Sequence, residues 1–147
     1  MTREEKNLLL TDISARIPYG VKVEVDFYDE NGDVYHKGLG TIYQINKDGY
    51  FYIEEDDEER NIDCCLPYLY PLQNIYNLIE KHQEEYDEIV NSEIEDVSSD
   101  GVSVNVFVKM QHFYHKYHVD YRGLINVGLA NDITKLNYID DTNKNIY

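Results

Sequence analysis

Two stretches of this chain carry residue types able to do chemistry. In "HFYHKYHVDYRGL", residues 112–124, His112, His115 and His118 recur every third residue among Phe113, Tyr114 and Tyr117. Imidazole is the commonest metal ligand and titrates near neutral pH, so a metal site or an acid–base site is the chemistry to test first. In "EEDDEER", residues 54–60, six carboxylates follow one another: Glu54, Glu55, Asp56, Asp57, Glu58 and Glu59. That density offers oxygens to a hard cation, or negative charge to a basic partner.

Geometry weighs against metal in both places. Six helical steps separate His112 from His118 by about 9 Å along the axis. Zinc needs its three nitrogens within about 2.1 Å. With residues 110–121 projected as one helix, Met110, Phe113, Tyr114, Tyr117 and Tyr121 share an apolar face. His112 and His115 then point away and His118 lies on the border, so the stretch reads as the aromatic face of a buried helix. The acidic run lacks the spaced glycine and alternating ligands of a calcium loop. No Ser-His-Asp spacing, phosphate loop or zinc-hydrolase motif occurs in the chain. No metal, cofactor or catalytic residue is expected. Cys64 and Cys65 are adjacent and are the only two cysteines, too few for a disulfide framework, and read as a reduced pair.

"DYRGLINVGLA", residues 120–130, has two readings. Structurally, Asp120 and Arg122 pair with each other or with neighbouring carbonyls, and Gly123 ends the helix. Functionally, Arg122 beside Tyr121 is a cation able to grip a carboxylate or phosphate in bidentate fashion.

The elements that must position these residues read as α+β. Thr2 and Glu5 form a capping box for a first helix with Leu9, Leu10, Ile13 and Ile17 on one side, stopped by Pro18. Val21, Val23, Val25 and Phe27 alternate with polar residues as a half-buried strand. Asn31-Gly32 and Asp48-Gly49 mark tight turns. Strands follow at 34–45, bent at Gly38 and Gly40, then at 50–53 and near 62–66. Together these predict a small curled antiparallel barrel, Src-homology-3-like or Sm-like. "LPYLYP" closes this unit, with Pro67 and Pro71 as breakers. From Leu72 one long amphipathic helix is expected, with Leu72, Ile75, Tyr76, Ile79, Tyr86, Ile89 and Val90 inward. "SSDG", residues 98–101, reads as a turn, and Val102 to Met110 alternate as a strand that Ile94 to Val97 pairs in a hairpin. The expected division is 1–71 for helix plus barrel and 72–147 for an α+β part, with one shared core as the other arrangement.

Charge narrows the function. The net charge is −16. The segment 54–100 alone holds 16 acids and 2 bases, while 1–53 is net −3 and 101–147 net +1. Such a field repels phosphate and anionic lipid and attracts basic surfaces. No apolar run approaches the roughly 20 residues of a membrane span, and the charged start "MTREEKNLLL" does not read as a signal peptide. Tyrosine supplies 15 of the aromatic residues, which suits a core close to solvent or an exposed contact face.

Three stretches together carry a resemblance: "MTREEKNLLLTDISARIPYGVKVEV" at the start, "PYLYP" at 67–71, and "HVDYRGLINVGLA" at 118–130. They resemble an uncharacterised group of small proteins from gut Bacteroidales and their phages and mobile elements. In that group the middle motif usually reads Pro-Tyr-Leu-Arg-Pro, and Tyr70 stands here in place of the arginine. The resemblance covers about half the chain. It implies no activity or site residue; it implies the cytoplasm of a bacterial host cell. His112, His115 and the acidic run lie outside it.

The expected function is a non-enzymatic accessory protein that binds a host or phage protein with a basic surface, as an inhibitor or as a nucleic-acid mimic. The expected partner-binding residues are Glu54, Glu55, Asp56, Asp57, Glu58, Glu59, Tyr121 and Arg122. The alternatives are a nucleic-acid-binding small barrel, disfavoured by the missing basic stripe, and an enzyme of unknown class.

Overall fold

The computed structural model describes residues 1–95 and 104–136, apart from the side chains of 92–95 and 104–105. Helix α1 (Arg3–Arg16) opens with the capping box: the Glu5 N–H donates to Thr2 Oγ at 3.1 Å and the Thr2 N–H to the Glu5 carboxylate at 2.8 Å. Two of the first turn's unpaired amide donors are thereby satisfied. A short 3₁₀ turn, Ile17–Tyr19, carries Pro18 and leads into the sheet.

Strands β1 (Val21–Tyr28), β2 (Val34–Ile45), β3 (Tyr50–Ile53) and β4 (Arg60–Asn61) form one antiparallel sheet in the order β1-β2-β3-β4, curled into a half-barrel. Its curl depends on Gly40: a Cβ there would lie 2.7 Å from the Ile53 side chain, so only glycine lets β2 close onto β3. Val21, Val23 and Val25 point inward with Ile42, Phe51 and Ile53, and α1 covers this face with Leu9 and Ile13. The alternation read from β1 is thus the pattern of a sheet with one wet face.

The chain then makes a second, three-stranded sheet. β5 (Tyr68–Pro71) lies in its middle, parallel to β6 (Val119–Asp120) and to β7 (Asn131–Asp132). A bridge from Val23 to Pro67 links it to β1. Helices α2 (Ile75–Lys81), α3 (Gln83–Glu95) and α4 (Val104–Lys116) pack beside it around Tyr68, Tyr70, Leu78, Ile89, Phe113, Val119 and Ile133. The half-barrel core crosses residue 71 in sequence: Leu124, Leu129 and Ala130 are buried with Leu9, Val23 and Phe51.

Several expectations are corrected. The strand expected at 102–110 is helical from Val104 onward, and its residues 102–103 lie outside the described ones. Val106, Met110, Phe113, Tyr114 and Tyr117 pack inward at spacings of three and four, while Phe107 stays 64 % exposed. A β-branched run can satisfy both periods, and tertiary packing selects the helical one. The expected hairpin partner is lost as well: residues 94–95 end α3, and 96–97 lie outside the described residues, as does the turn at 98–101. The single helix from Leu72 is instead a 3₁₀ turn, α2 and α3, broken at His82, whose ring stacks on Tyr117 at 4.0 Å. Tyr76, expected inward, is 81 % exposed, and Leu78 takes the buried place. The fourth strand lies at Arg60–Asn61, and Ile62–Cys64 is a 3₁₀ turn. Pro71 belongs to the central strand β5, where it is the last residue.

Two outcomes follow. Phe113→Ala removes a ring buried against Tyr86 and Tyr117 and lowers the unfolding free energy by about 3–5 kcal/mol, while Phe107→Ala changes it by less than about 0.5 kcal/mol; urea unfolding of both variants checks this. A fragment of residues 1–71 lacks Leu124, Leu129 and Ala130, and its circular dichroism on heating shows no cooperative transition.

Candidate functional site

The most buried polar feature is an ionic centre. Asp12 and Arg16, one turn apart on α1, are both fully buried. Arg16 grips Asp12 through Nε at 2.8 Å and Nη2 at 3.0 Å. Its remaining donors reach the Val119 carbonyl at 2.7 Å and the Tyr114 carbonyl at 3.3 Å. Arg122 adds a third donor to Asp12, Nε at 3.1 Å. Asp120 does not pair with Arg122. Its two oxygens accept the Leu124 and Ile125 N–H groups at 2.8 and 2.9 Å, folding residues 120–125 into a tight loop.

The histidines divide around this centre. His112 is exposed and meets the Tyr19 hydroxyl at 3.2 Å. His115, expected to point away from packed surfaces, is buried, because α1 and the 120–125 loop cover that side of α4. Its Nε2 lies 2.7 Å from the Tyr121 hydroxyl. Helix α4 ends at Lys116, five residues short of the expected end, so Tyr121 is not on it. The left-handed residue just after α4 is His118, at φ 56°, while Gly123, left-handed at φ 74°, lies beyond β6 in the 120–125 loop and does not end the helix. Burial, then the nearby Arg16 charge, pushes His118 down to about 4; burial lowers His115 too. Both are therefore neutral at pH 7. The His118 Nδ1 is buried without a hydrogen-bond partner. Among the described residues no three His, Cys, Asp or Glu side chains gather in a metal-binding group.

The acidic run borders a different feature. No ladder joins β1 to β4, so the half-barrel keeps an open seam. One side chain spans it: Arg60 donates through Nη2 to the Asp26 carbonyl at 3.2 Å. Asp56 holds Arg60 in place with two bonds of 2.6 and 2.8 Å, and this pairing holds the Asp56 carboxyl below its usual range. Glu55 turns back to accept the Thr41 N–H. Glu59 accepts the Tyr52 hydroxyl at 3.3 Å. Glu54, Asp57 and Glu58 are exposed, and their carboxylates form no ion pair or hydrogen bond among the described residues. The seam opens into a cleft of about 330 Å³, with Val25, Phe51 and Leu66 on its walls and Glu24, Asp26, Glu58 and Glu59 around it.

The expected binding residues thus fall into two places. Glu58 and Glu59 border the seam cleft, with Glu54, Glu55, Asp56 and Asp57 in the same loop; Tyr121 and Arg122 line a separate cleft beyond the end of β5, and the two clefts share no residue. Sequence reasoning missed Asp12 and Arg16, although an Asp and Arg four apart among apolar positions is the available signal. It also missed the Arg60 strut, whose partners lie four and thirty-four residues away. Cys64 is exposed at the seam and Cys65 is buried, its thiol pushed up by burial. No helix among the described residues is long and apolar enough to cross a membrane.

Comparison with known proteins leaves this geometry to speak for itself: no family model, no curated protein and no solved structure matches the chain.

The histidine geometry has a pH consequence. Unfolded His118 binds a proton near 6.5, whereas in the fold it stays neutral down to about 4. The unfolded state therefore takes up more protons in that window, and stability falls with acidification from 6.5 towards 4, by up to about 3 kcal/mol. His118→Asn keeps a residue tolerant of the left-handed turn and flattens this part of the stability profile; urea midpoints between pH 7 and 4.5 measure the difference.

Proposed function

We propose that this chain is a non-enzymatic accessory protein that docks the basic surface of another protein on the seam of its half-barrel. The observation that carries the reading is the open seam itself: an unclosed sheet edge with apolar walls and four carboxylates around it, of which Glu58 has no ion pair among the described residues. A strand edge carries unused main-chain donors and acceptors. Extended segments recognise such edges by adding a strand, with side-chain pockets supplying the choice of partner.

Charge selects the partner's chemistry. Glu24, Asp26, Glu58 and Glu59 stand around the cleft against Lys37 and Arg60, and Glu54 and Asp57, exposed in the same loop, form no ion pair among the described residues. Complementary charge speeds encounter and excludes acidic competitors. The resemblance implies a bacterial host cell as the setting, and a host or phage protein is the partner we propose there. Nucleic acid fits less well, because the seam presents carboxylates to phosphates.

The loop also constrains how this is tested. Glu55 and Asp56 hold Thr41 and Arg60, so neutralising them perturbs the sheet along with the charge. Glu54→Gln, Asp57→Asn, Glu58→Gln and Glu59→Gln combined remove charge and leave those clamps. Wild type retains a defined basic protein from nuclease-treated bacterial extract at low salt, and the fourfold variant binds the purified partner about ten-fold or more weakly. A partner bound equally by both proteins removes the seam from the reading. Recovery of nucleic acid alone, when nuclease is omitted, replaces protein docking with nucleic-acid binding.

A further inference from the structure

The cleft that holds Arg122 lies apart from the seam and is built differently. It measures about 630 Å³ and is bounded by the end of β5, the 120–126 loop and the turn after β7. This is the size range of small-molecule sites. The guanidinium of Arg122 is anchored at one end only. Its Nε is spent on Asp12, while Nη1 and Nη2 donate to nothing among the described residues. The side chain keeps 27 % exposure and lies over the Tyr121 ring at 4.9 Å, so it is fixed from behind and open in front. Asp12, the carboxylate behind it, already serves Arg16 with two bonds. One carboxylate thus answers two guanidiniums.

The other polar groups facing the cleft are mainly unused donors. Lys135 and the amides of Gln73 and Asn126 line it, and none has a side-chain partner among the described residues. Two carboxylates line it as well, and of their four oxygens only Asp132 Oδ2 lacks a hydrogen-bond partner among the described residues. Asp120 accepts the Leu124 and Ile125 N–H groups, and Asp132 accepts the Thr134 N–H at 2.9 Å and hydroxyl at 2.6 Å. Leu72, 43 % exposed, and Ile125 add an apolar wall.

We propose that this cleft binds a small organic oxyanion, its carboxylate or phosphate group held by the free Nη atoms of Arg122 and by Lys135, and its apolar body against Leu72 and Ile125. A guanidinium with both terminal nitrogens free matches two oxygens of either group in fork geometry. The Gln73 and Asn126 amides supply further donors. The site is independent of partner docking at the seam.

Titration of the ¹⁵N-labelled full chain tests this by NMR at constant ionic strength. The probes are acetate, inorganic phosphate, benzoate and phenyl phosphate, with chloride as the reference salt. The expected result is saturable shifts at Gln73, Gly123, Asn126 and the Arg122 Nε–H, tighter for benzoate and phenyl phosphate than for acetate and inorganic phosphate. The tighter of the two aromatic probes identifies the preferred group. Arg122→Gln weakens binding about ten-fold or more. Lys135→Gln and Leu72→Ala, both at exposed positions, weaken it several-fold with the fold intact. Shifts that follow chloride without saturating overturn the proposal. So do unchanged affinities in Lys135→Gln and Leu72→Ala, a result that stands even where Arg122→Gln fails to fold.

Discussion

The carboxylate of Asp12 is the constraint on which the C-terminal half of this protein is arranged. A buried carboxylate is tolerated only when it is paired and fully hydrogen-bonded. Arg16 supplies two bonds from within the same helix, and Arg122 supplies a third from a loop more than a hundred residues away. Arg16 is itself fully buried, so its other donors must find acceptors, and they find the Tyr114 and Val119 carbonyls. One ion pair on α1 thereby fixes the end of α4, strand β6 and the 120–125 loop. The cation also sits where helix carbonyls are left without amides, which favours positive charge.

That arrangement explains the histidines. The chain must leave α4 and enter β6 within three residues to bring the Val119 carbonyl to Arg16. The reversal is made by His118 in the left-handed region, at an energetic cost that β5 pairing and the ion pair offset. Because a guanidinium lies near, protonating either His115 or His118 is doubly unfavourable, through desolvation and through like charge. Both rings are packed neutral groups, and His112 alone of the three keeps an exposed place.

The half-barrel follows a separate logic. Its inner face is dictated by alternation, its curl by Gly40, and its incompleteness by the shortness of β4, which cannot reach β1 with a ladder. Arg60 bridges the gap with a side chain. The acidic loop then divides its labour: Glu55 and Asp56 hold the sheet together, while Glu54, Asp57 and Glu58 face outward. A run of six acids that looks uniform in sequence is thus part scaffold and part surface.

Local signals in the sequence by themselves determined the first helix with its capping box, the first three strands, and the alternation that makes a curled antiparallel sheet, because each depends on residues within a few positions of one another. Other features were settled only by tertiary structure. The run from Val102 to Met110 suits a strand by alternation and a helix by the spacing of Val106, Met110, Phe113 and Tyr117; contact with α3 chose the helix. The break at His82 and the end of α4 at Lys116 answer to Tyr117 and Arg16, not to a local stop residue. Arg122 was visible as a cation near a turn, but its anchor on Asp12 and its free nitrogens were not, since a pairing across about a hundred residues leaves no local trace. Where an interaction is short-range the sequence shows it; where burial must satisfy a charge, only the assembled fold decides which groups meet.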